Sequence, residues 1–298
     1  MFTGLSAFPL TPLDEQTEQG IDEAAYAHLV RRCAAAGADS ITALGSTGSY
    51  AYLTRTERAR VAQLAVQHAN GVPVIVGIGA LRTQHVLQLA EDAQSAGASG
   101  VLLAPVSYQP LTPDDVLGLF QDVTAQLSVP LAVYDNPGTT RFTFTDDLYR
   151  AVAALPGVAS IKIPGIAQDP ADAAARVAQL RALLPAHVSV GISGDSQAAR
   201  GLLAGCQAWY SVIGGTLPEV AVELTAAALG GDTERTEQLS ARLRPLWDLF
   251  SRHGSYRTTA AVAEHLGLAR RSCLPLPVRG LDDDARAQVA RVVDALGL

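Results

Sequence analysis

The chain has 298 residues, a length that accommodates one large or two ordinary domains. Hydrophobic residues make up 48% and charged residues 17%, with a mean hydropathy of +0.18, which excludes a disordered chain and allows a large buried core. Twenty-two basic against 29 acidic side chains leave a net charge of -7, and no basic run is available to neutralise a phosphate backbone, so nucleic acid is not an expected partner.

Cys33, Cys206 and Cys273 are odd in number and lack CxxC spacing, which points away from a disulfide framework or a zinc knuckle and towards a reducing compartment. The N-terminal MFTGLSAFPLTPLDEQ has no basic region ahead of an apolar stretch, and no segment supplies ~20 predominantly apolar residues. The expectation is a soluble cytoplasmic protein with no membrane contact.

In chain order, eight short apolar runs alternate with longer segments of helical periodicity. The runs are 4–10, 40–44, 72–78, 100–105, 129–134, 159–163, 187–193 and 208–213, continuous rather than alternating, as strands covered on both faces are. Between them, helices are expected over Ile21 to Ala36, Thr54 to Asn70, Thr83 to Ala96, Pro113 to Leu127, Asp169 to Leu184 and Ser196 to Ala204. A further start is signalled by Asp146 and Asp147 after Thr145. The joints CAAAGADSITAL, AQSAGASGVLLA and AALPGVASIKI place Gly37, Gly97 and Gly157 sixty residues apart, the interval of two βα units of ~30 residues each. LLAGCQAWYSV adds a fourth joint at Gly205.

Eight such units in residues 1–230 predict a (β/α)8 TIM barrel. Residues 231–298 read as additional C-terminal helices, Thr233 to Arg252, Tyr256 to Leu266 and Asp282 to Leu296, packed on the barrel or on a neighbouring subunit. The alternative, an open doubly wound sheet, calls for a phosphate fingerprint at the first βα turn, and PLTPLDEQ has none.

A barrel carries its chemistry at the C-terminal ends of its strands. One residue there is singular: of the 22 basic side chains 21 are arginine, and the only lysine, Lys162, ends the sixth strand between Ile161 and Ile163. Arginine stays protonated, whereas a desolvated lysine becomes a neutral nucleophile for a carbonyl carbon. The competing reading is a lysine that caps the barrel through an ion pair with Asp135 or Asp195. Tyr134, ending the neighbouring strand, is either the proton shuttle such chemistry requires or a rim aromatic. Gly45-Ser46-Thr47-Gly48, after the second strand, offers backbone N–H groups and two hydroxyls as a cradle for a small carboxylate in a loop ahead of a helix.

GSTG after strand two, YDNP after strand five, IK at the end of strand six and SGD after strand seven together resemble the N-acetylneuraminate lyase and dihydrodipicolinate synthase family, over essentially the whole chain. The resemblance implies a class I aldolase on a (β/α)8 barrel, commonly tetrameric, that forms a Schiff base with pyruvate or another 2-keto acid and needs no cofactor. It matches Lys162 to the Schiff-base lysine, Tyr134 to the catalytic tyrosine, Ser46 to a hydroxyl of the proton relay, and Thr47, with its backbone, to the group holding the pyruvate carboxylate. Gly48, Thr139 and Tyr210 complete the expected substrate-binding set.

Four positions depart from the family pattern. Ser49 replaces the usual Glu of the loop, and Ser107 stands where synthase members donate a tyrosine across a subunit interface, with Tyr108 one residue on. Thr139 takes the place of the arginine that binds the second substrate's carboxylate in the synthase, with Arg141 two residues later, and Ile163-Pro164-Gly165 differs from the commoner acid or small polar residues. The expected activity is therefore cleavage or formation of a C–C bond, or dehydration of a keto-sugar acid. The alternatives are dihydrodipicolinate synthase itself, condensing pyruvate with aspartate semialdehyde, and a non-catalytic keto-acid binder. A metal-dependent aldolase or hydrolase would need clustered ligands, whereas His28, His68, His85, His187, His253 and His265 are scattered with no HExxH, so no metal is expected.

Overall fold

The computed structural model describes residues 1–14 and 20–298. Eight parallel strands close into a barrel: β1 (Gly4–Ala7), β2 (Ser40–Ala43), β3 (Val74–Gly77), β4 (Gly100–Leu103), β5 (Leu131–Tyr134), β6 (Val158–Ile163), β7 (Ser189–Ile192) and β8 (Ala208–Ser211). Each pairs with its sequence neighbours, and β1 closes the ring by pairing with both β8 and β2. This is the (β/α)8 architecture, and each strand lies within one of the apolar runs read from the sequence, apart from Val158, one residue ahead of its run.

Barrel helices follow the strands: α1 (Glu23–Ala35), α2 (Arg55–His68), α3 (Thr83–Ser95), α4 (Pro113–Thr124), α5 (Asp146–Ala153), α6 (Pro170–Leu183), α7 (Ala198–Leu203) and α8 (Pro218–Leu229). Their starts are capped by Asp22, Thr54, Thr112, Thr145 and Asp169 side chains accepting from first-turn N–H groups, which is why the polar residue before each apolar periodicity marks the boundary. The recurrent joints take left-handed glycine at the helix-to-strand turn, with φ of 86° at Gly37, 88° at Gly97 and 79° at Gly157.

Burial divides into an outer layer between sheet and helices and a smaller interior cluster. The interior holds Phe2, Phe8, Ile75, Leu102, Ala132, Tyr134, Ala208 and Tyr210. A strand turns alternate residues to opposite faces, so Ile161 and Ile163 join the outer layer while Ser160 and Lys162 face the lumen.

Beyond the barrel lie α9 (Thr233–Arg242), α10 (Arg244–His253), α11 (Ser255–His265) and α12 (Asp283–Leu296). The single helix expected over Thr233 to Arg252 is two, because Pro245 has no N–H to donate and its ring excludes the carbonyl four residues earlier. Helix α11 joins the barrel through Ala260 and Ala263, which form one buried cluster with Leu10, Leu29 and Cys273. The sequence reading gave α8 no bounds of its own within the eighth βα unit, and it missed the single helical turn Pro137–Thr140 and a two-stranded ribbon, Leu13–Asp14 with Gly20–Ile21; the last two residues of its N-terminal segment MFTGLSAFPLTPLDEQ, 15 and 16, lie outside the described residues. Among the described residues, no helix is long and apolar enough to cross a membrane, and no cluster of His, Cys, Asp or Glu could hold a metal ion. The three cysteines are free and buried.

Candidate active site

Lys162 rises from the end of β6 into the mouth of the barrel with 3% of its surface exposed. Its Nζ lies 3.9 Å from the ring centre of Tyr134 and 4.0 Å from that of Phe8, with Tyr210 further below at 5.6 Å. Burial lowers the amine pKa to about 7, opposed by the negative charge of Asp195. About half the chains would then carry a neutral amine at pH 7, against roughly one in a few thousand for an ordinary lysine. The ring faces favour the protonated form by about 0.5–2 kcal/mol, less than the ~5 kcal/mol that separates an ordinary lysine from one near 7. Desolvation therefore dominates.

Neither proposed ion pair forms. Asp195 is occupied by its own surroundings: Trp209 Nε1 donates to Oδ1 at 3.0 Å, the Val212 N–H to Oδ1 at 3.1 Å and the Ile213 N–H to Oδ2 at 2.7 Å. Asp135 faces away from the lumen, where Tyr149 Oη donates to it at 2.5 Å. Among the described residues no salt bridge reaches Lys162. The amine is held by packing rather than by a counter-ion.

Tyr134 stands directly opposite Lys162 in the β5–β6 register. Burial raises its phenol pKa, while hydrogen bonding with Ser46, Ser193 and Asn136 and the charge of Asp135 act on it from either side: the hydrogen bonds lower it, Asp135 raises it. The Asn136 Nδ2 donates at 2.9 Å both to the phenol oxygen and to Thr139 Oγ1. Hydroxyls from the loops after β2 and β7 thus converge on one buried phenol beside one buried amine, an arrangement suited to moving a proton at a carbon attached to that amine.

The loop after β2 lies ahead of a helix, as expected: turns run through residues 44–52, and the N-terminus of α2 is closed by a capping box between Thr54 and Glu57. The helix end is therefore not the anion cradle. Instead, two non-glycine residues in left-handed conformation, Leu44 (φ 56°) and Ser49 (φ 62°), bracket the turn, and Gly48 packs so closely on the Leu44 backbone that a Cβ would lie 2.9 Å from its nitrogen. Among the described residues the Thr47 and Gly48 N–H groups have no hydrogen-bond partner, and Thr47 is 5% exposed. Two free donors in a strained turn are groups of the kind that receive a small anion.

Of the remaining expected residues, Tyr210 places its ring under the lysine and its hydroxyl elsewhere, 2.6 Å from Ser160 Oγ, which in turn accepts from Ser189 Oγ at 2.8 Å. Gly191, opposite Lys162 on β7, leaves the room that ring fills: a Cβ there would lie 2.4 Å from Tyr210. Thr139 is exposed on the helical turn after β5, Arg141 is exposed with φ 57°, and Ser107 bonds the carbonyl of Gln109. Tyr108 is 89% exposed.

Sequence reading missed Phe8, Asn136 and Ser193 as neighbours of the amine and the phenol. Asn136 had a signal, since it lies two residues beyond Tyr134 in YDNP and alternation brings it to the same side. Phe8 had none, because its approach depends on barrel closure and on Gly45, where a Cβ would lie 2.5 Å from its ring.

Comparison with known proteins identifies the fold's family. The model of the dihydrodipicolinate synthetase family matches residues 1–296. A solved structure described as dihydrodipicolinate synthase from Agrobacterium tumefaciens superposes with a TM-score of 0.94 at 43% identity, over 99% of this chain and 98% of that one. An uncharacterized DapA-like lyase of Halobacterium salinarum is 32% identical, covering 94% of this chain and 90% of its own. The 4-hydroxy-tetrahydrodipicolinate synthase of Acidiphilium cryptum is 28% identical over 100% and 99% of the two chains. The chain therefore belongs to the dihydrodipicolinate synthetase family, and it is an aldolase/lyase of that family.

Proposed function

We propose that the protein forms a Schiff base between Lys162 and pyruvate or another 2-keto acid, and uses it to cleave or form a C–C bond or to dehydrate a keto-sugar acid. The observation that carries this reading is the chain's single lysine, 3% exposed, with a pKa lowered to about 7 beside the Tyr134 phenol. The neutral Nζ attacks C2 of the keto acid, and the carbonyl oxygen takes a proton from Tyr134. The carbinolamine loses water to give the iminium, whose positive charge withdraws electrons from C3. In cleavage, Tyr134 accepts the proton of the C4 hydroxyl as the C3–C4 bond breaks, leaving an aldehyde and the enamine. Ser46 passes the proton on, and the enamine is protonated and hydrolysed to release pyruvate.

Thr47 and Gly48 N–H groups take the keto-acid carboxylate, Tyr210 walls the site below the amine, and Thr139 meets the distal part of the substrate. That distal region presents Asn136, Thr139 and Ser193, neutral hydrogen-bonding groups that suit hydroxyls. The synthase reading is favoured by the names of relatives such as the Acidiphilium cryptum protein and would need Arg141 to supply the cation that Thr139 lacks. We assign the protein to the cytoplasm, in keeping with its three free cysteines, and to a homo-oligomer, a tetramer by family resemblance, in which the 89% exposed Tyr108 is covered by a partner chain. Sedimentation equilibrium tests the assembly.

The decisive experiment is borohydride trapping with a panel of 2-keto acids followed by peptide mapping. One adduct per chain at Lys162 is expected. An adduct at Met1 alone, or none with any keto acid, rules the Schiff-base reading out.

A further inference from the structure

The turn that holds Thr47 and Gly48 is fastened from outside the barrel. Ser49 Oγ, buried at its base, lies 2.5 Å from the Tyr256 hydroxyl on α11, across 207 residues of chain. Ser49 in turn donates its N–H to the Ser46 carbonyl at 3.2 Å and accepts from the Tyr52 N–H at 2.9 Å. Its φ of 62° is a conformation a serine adopts only when its surroundings impose it, and the hydroxyl contact from α11 is the side-chain tether present.

Helix α11 is a firm anchor. Ala260 and Ala263 are buried with Leu10 and Leu29, and Tyr256 packs against the same cluster. Burial pushes the Tyr256 phenol up to about 12, so it stays protonated throughout the range in which Lys162 titrates. The tether is therefore a neutral hydrogen bond, standing where relatives' loops end in glutamate by the resemblance noted above.

We propose that Tyr256 is a positioning residue: through Ser49 it holds the Thr47 and Gly48 N–H groups at the angle that receives the substrate carboxylate, and so makes a C-terminal helix part of keto-acid selection. This rests on the Schiff-base reading above. It distinguishes the carboxylate from the carbonyl, because the tether touches neither Lys162 nor Tyr134, and its one link to Ser46 is through the Ser46 backbone carbonyl rather than the hydroxyl that meets the phenol.

The test uses the full-length protein, with trapping at Lys162 by borohydride read against ligand concentration. Two probes are compared: pyruvate, and hydroxyacetone, which has the same methyl ketone but a hydroxymethyl group in place of the carboxylate. Tyr256→Phe should raise the half-saturating pyruvate concentration roughly 3- to 10-fold, the effect of one hydrogen bond, and leave hydroxyacetone trapping unchanged. Ser49→Ala should do the same, and the double variant should be no worse than either alone, since both remove one interaction. The proposal is overturned if Tyr256→Phe traps pyruvate like the unaltered protein, if both probes weaken equally, or if the two substitutions add. Pyruvate that fails to trap on the unaltered chain overturns the Schiff-base reading itself, and this inference with it.

Discussion

The two halves of the barrel mouth are built differently. On the side proposed for the keto acid, Lys162, Tyr134 and Thr47 are 3%, 8% and 5% exposed, and each is held by packing or by a strained turn. On the side proposed for the acceptor, Tyr108, Thr139 and Arg141 are exposed on the loops after β4 and β5. The first is preorganised, with the amine pKa brought down to about 7 by burial. The second carries little that fixes a particular acceptor. The contrast teaches that strand ends, where the barrel is rigid, hold side chains buried and preorganised, whereas loops that the barrel tolerates in many forms leave them exposed and free to vary, which on the proposed function divides donor chemistry from acceptor choice.

The sharpest way to break this contrast is at the amine. Lys162→Arg should abolish borohydride trapping of pyruvate altogether, because arginine keeps the charge but offers no usable nucleophile. Residual trapping, located by peptide mapping, would place the nucleophile at the only other primary amine, Met1. Next in size, Tyr134→Phe keeps the ring against Lys162 and removes the hydroxyl, so turnover should fall ~10²–10⁴-fold with the melting temperature nearly unmoved. Unchanged turnover would transfer the shuttle to another hydroxyl, Ser46 or Ser193.

The acceptor side predicts poor synthase activity. A threonine in place of an arginine that pairs with a carboxylate forfeits ~2–5 kcal/mol, or roughly 30-fold to several thousand-fold in kcat/KM for aspartate semialdehyde. Comparing that substrate with keto-sugar acids measures it. A kcat/KM of ~10⁴ M⁻¹s⁻¹ or more for the semialdehyde, collapsing in Arg141→Ala, would show that the loop delivers its cation after all.

The smallest effects are in pH. Imine formation should rise about tenfold per pH unit below 7 and level off above it, as the amine loses its proton. Stability gives an independent check. The folded amine titrates near 7 and the unfolded one near 10.4, so between those values the unfolded chain binds more protons and the lysine's burial penalty is relieved as pH rises. Lys162→Met should therefore raise the melting temperature most below pH 7, with the advantage shrinking towards pH 10. An advantage independent of pH would mean that the amine is not desolvated.

Much of this was legible in one dimension. Apolar runs covered on both faces, caps such as Thr54 and Thr112 before helical periodicity, and glycines at sixty-residue intervals are local signals, and local signals survive in a sequence because backbone sterics and strand alternation act between neighbours. The same locality put Lys162 and Tyr134 at adjacent strand ends, since consecutive parallel strands of a barrel pair in order. It failed where a second turn signal competed with periodicity, as at Pro245.

What the sequence alone determined, then, is the barrel, the strand-end position of its one lysine and the order of the motifs, all properties of neighbouring residues. Only the tertiary structure decided that the lysine has no counter-ion, that Phe8 and Tyr210 reach it through the space left by Gly45 and Gly191, that Tyr210 spends its hydroxyl on Ser160, and that Tyr256 grips Ser49 from the far end of the chain. Those are contacts between residues many tens of positions apart. Their geometry depends on how the barrel closes and how the C-terminal helices dock, and the burial that lowers the lysine's pKa exists only once both have happened.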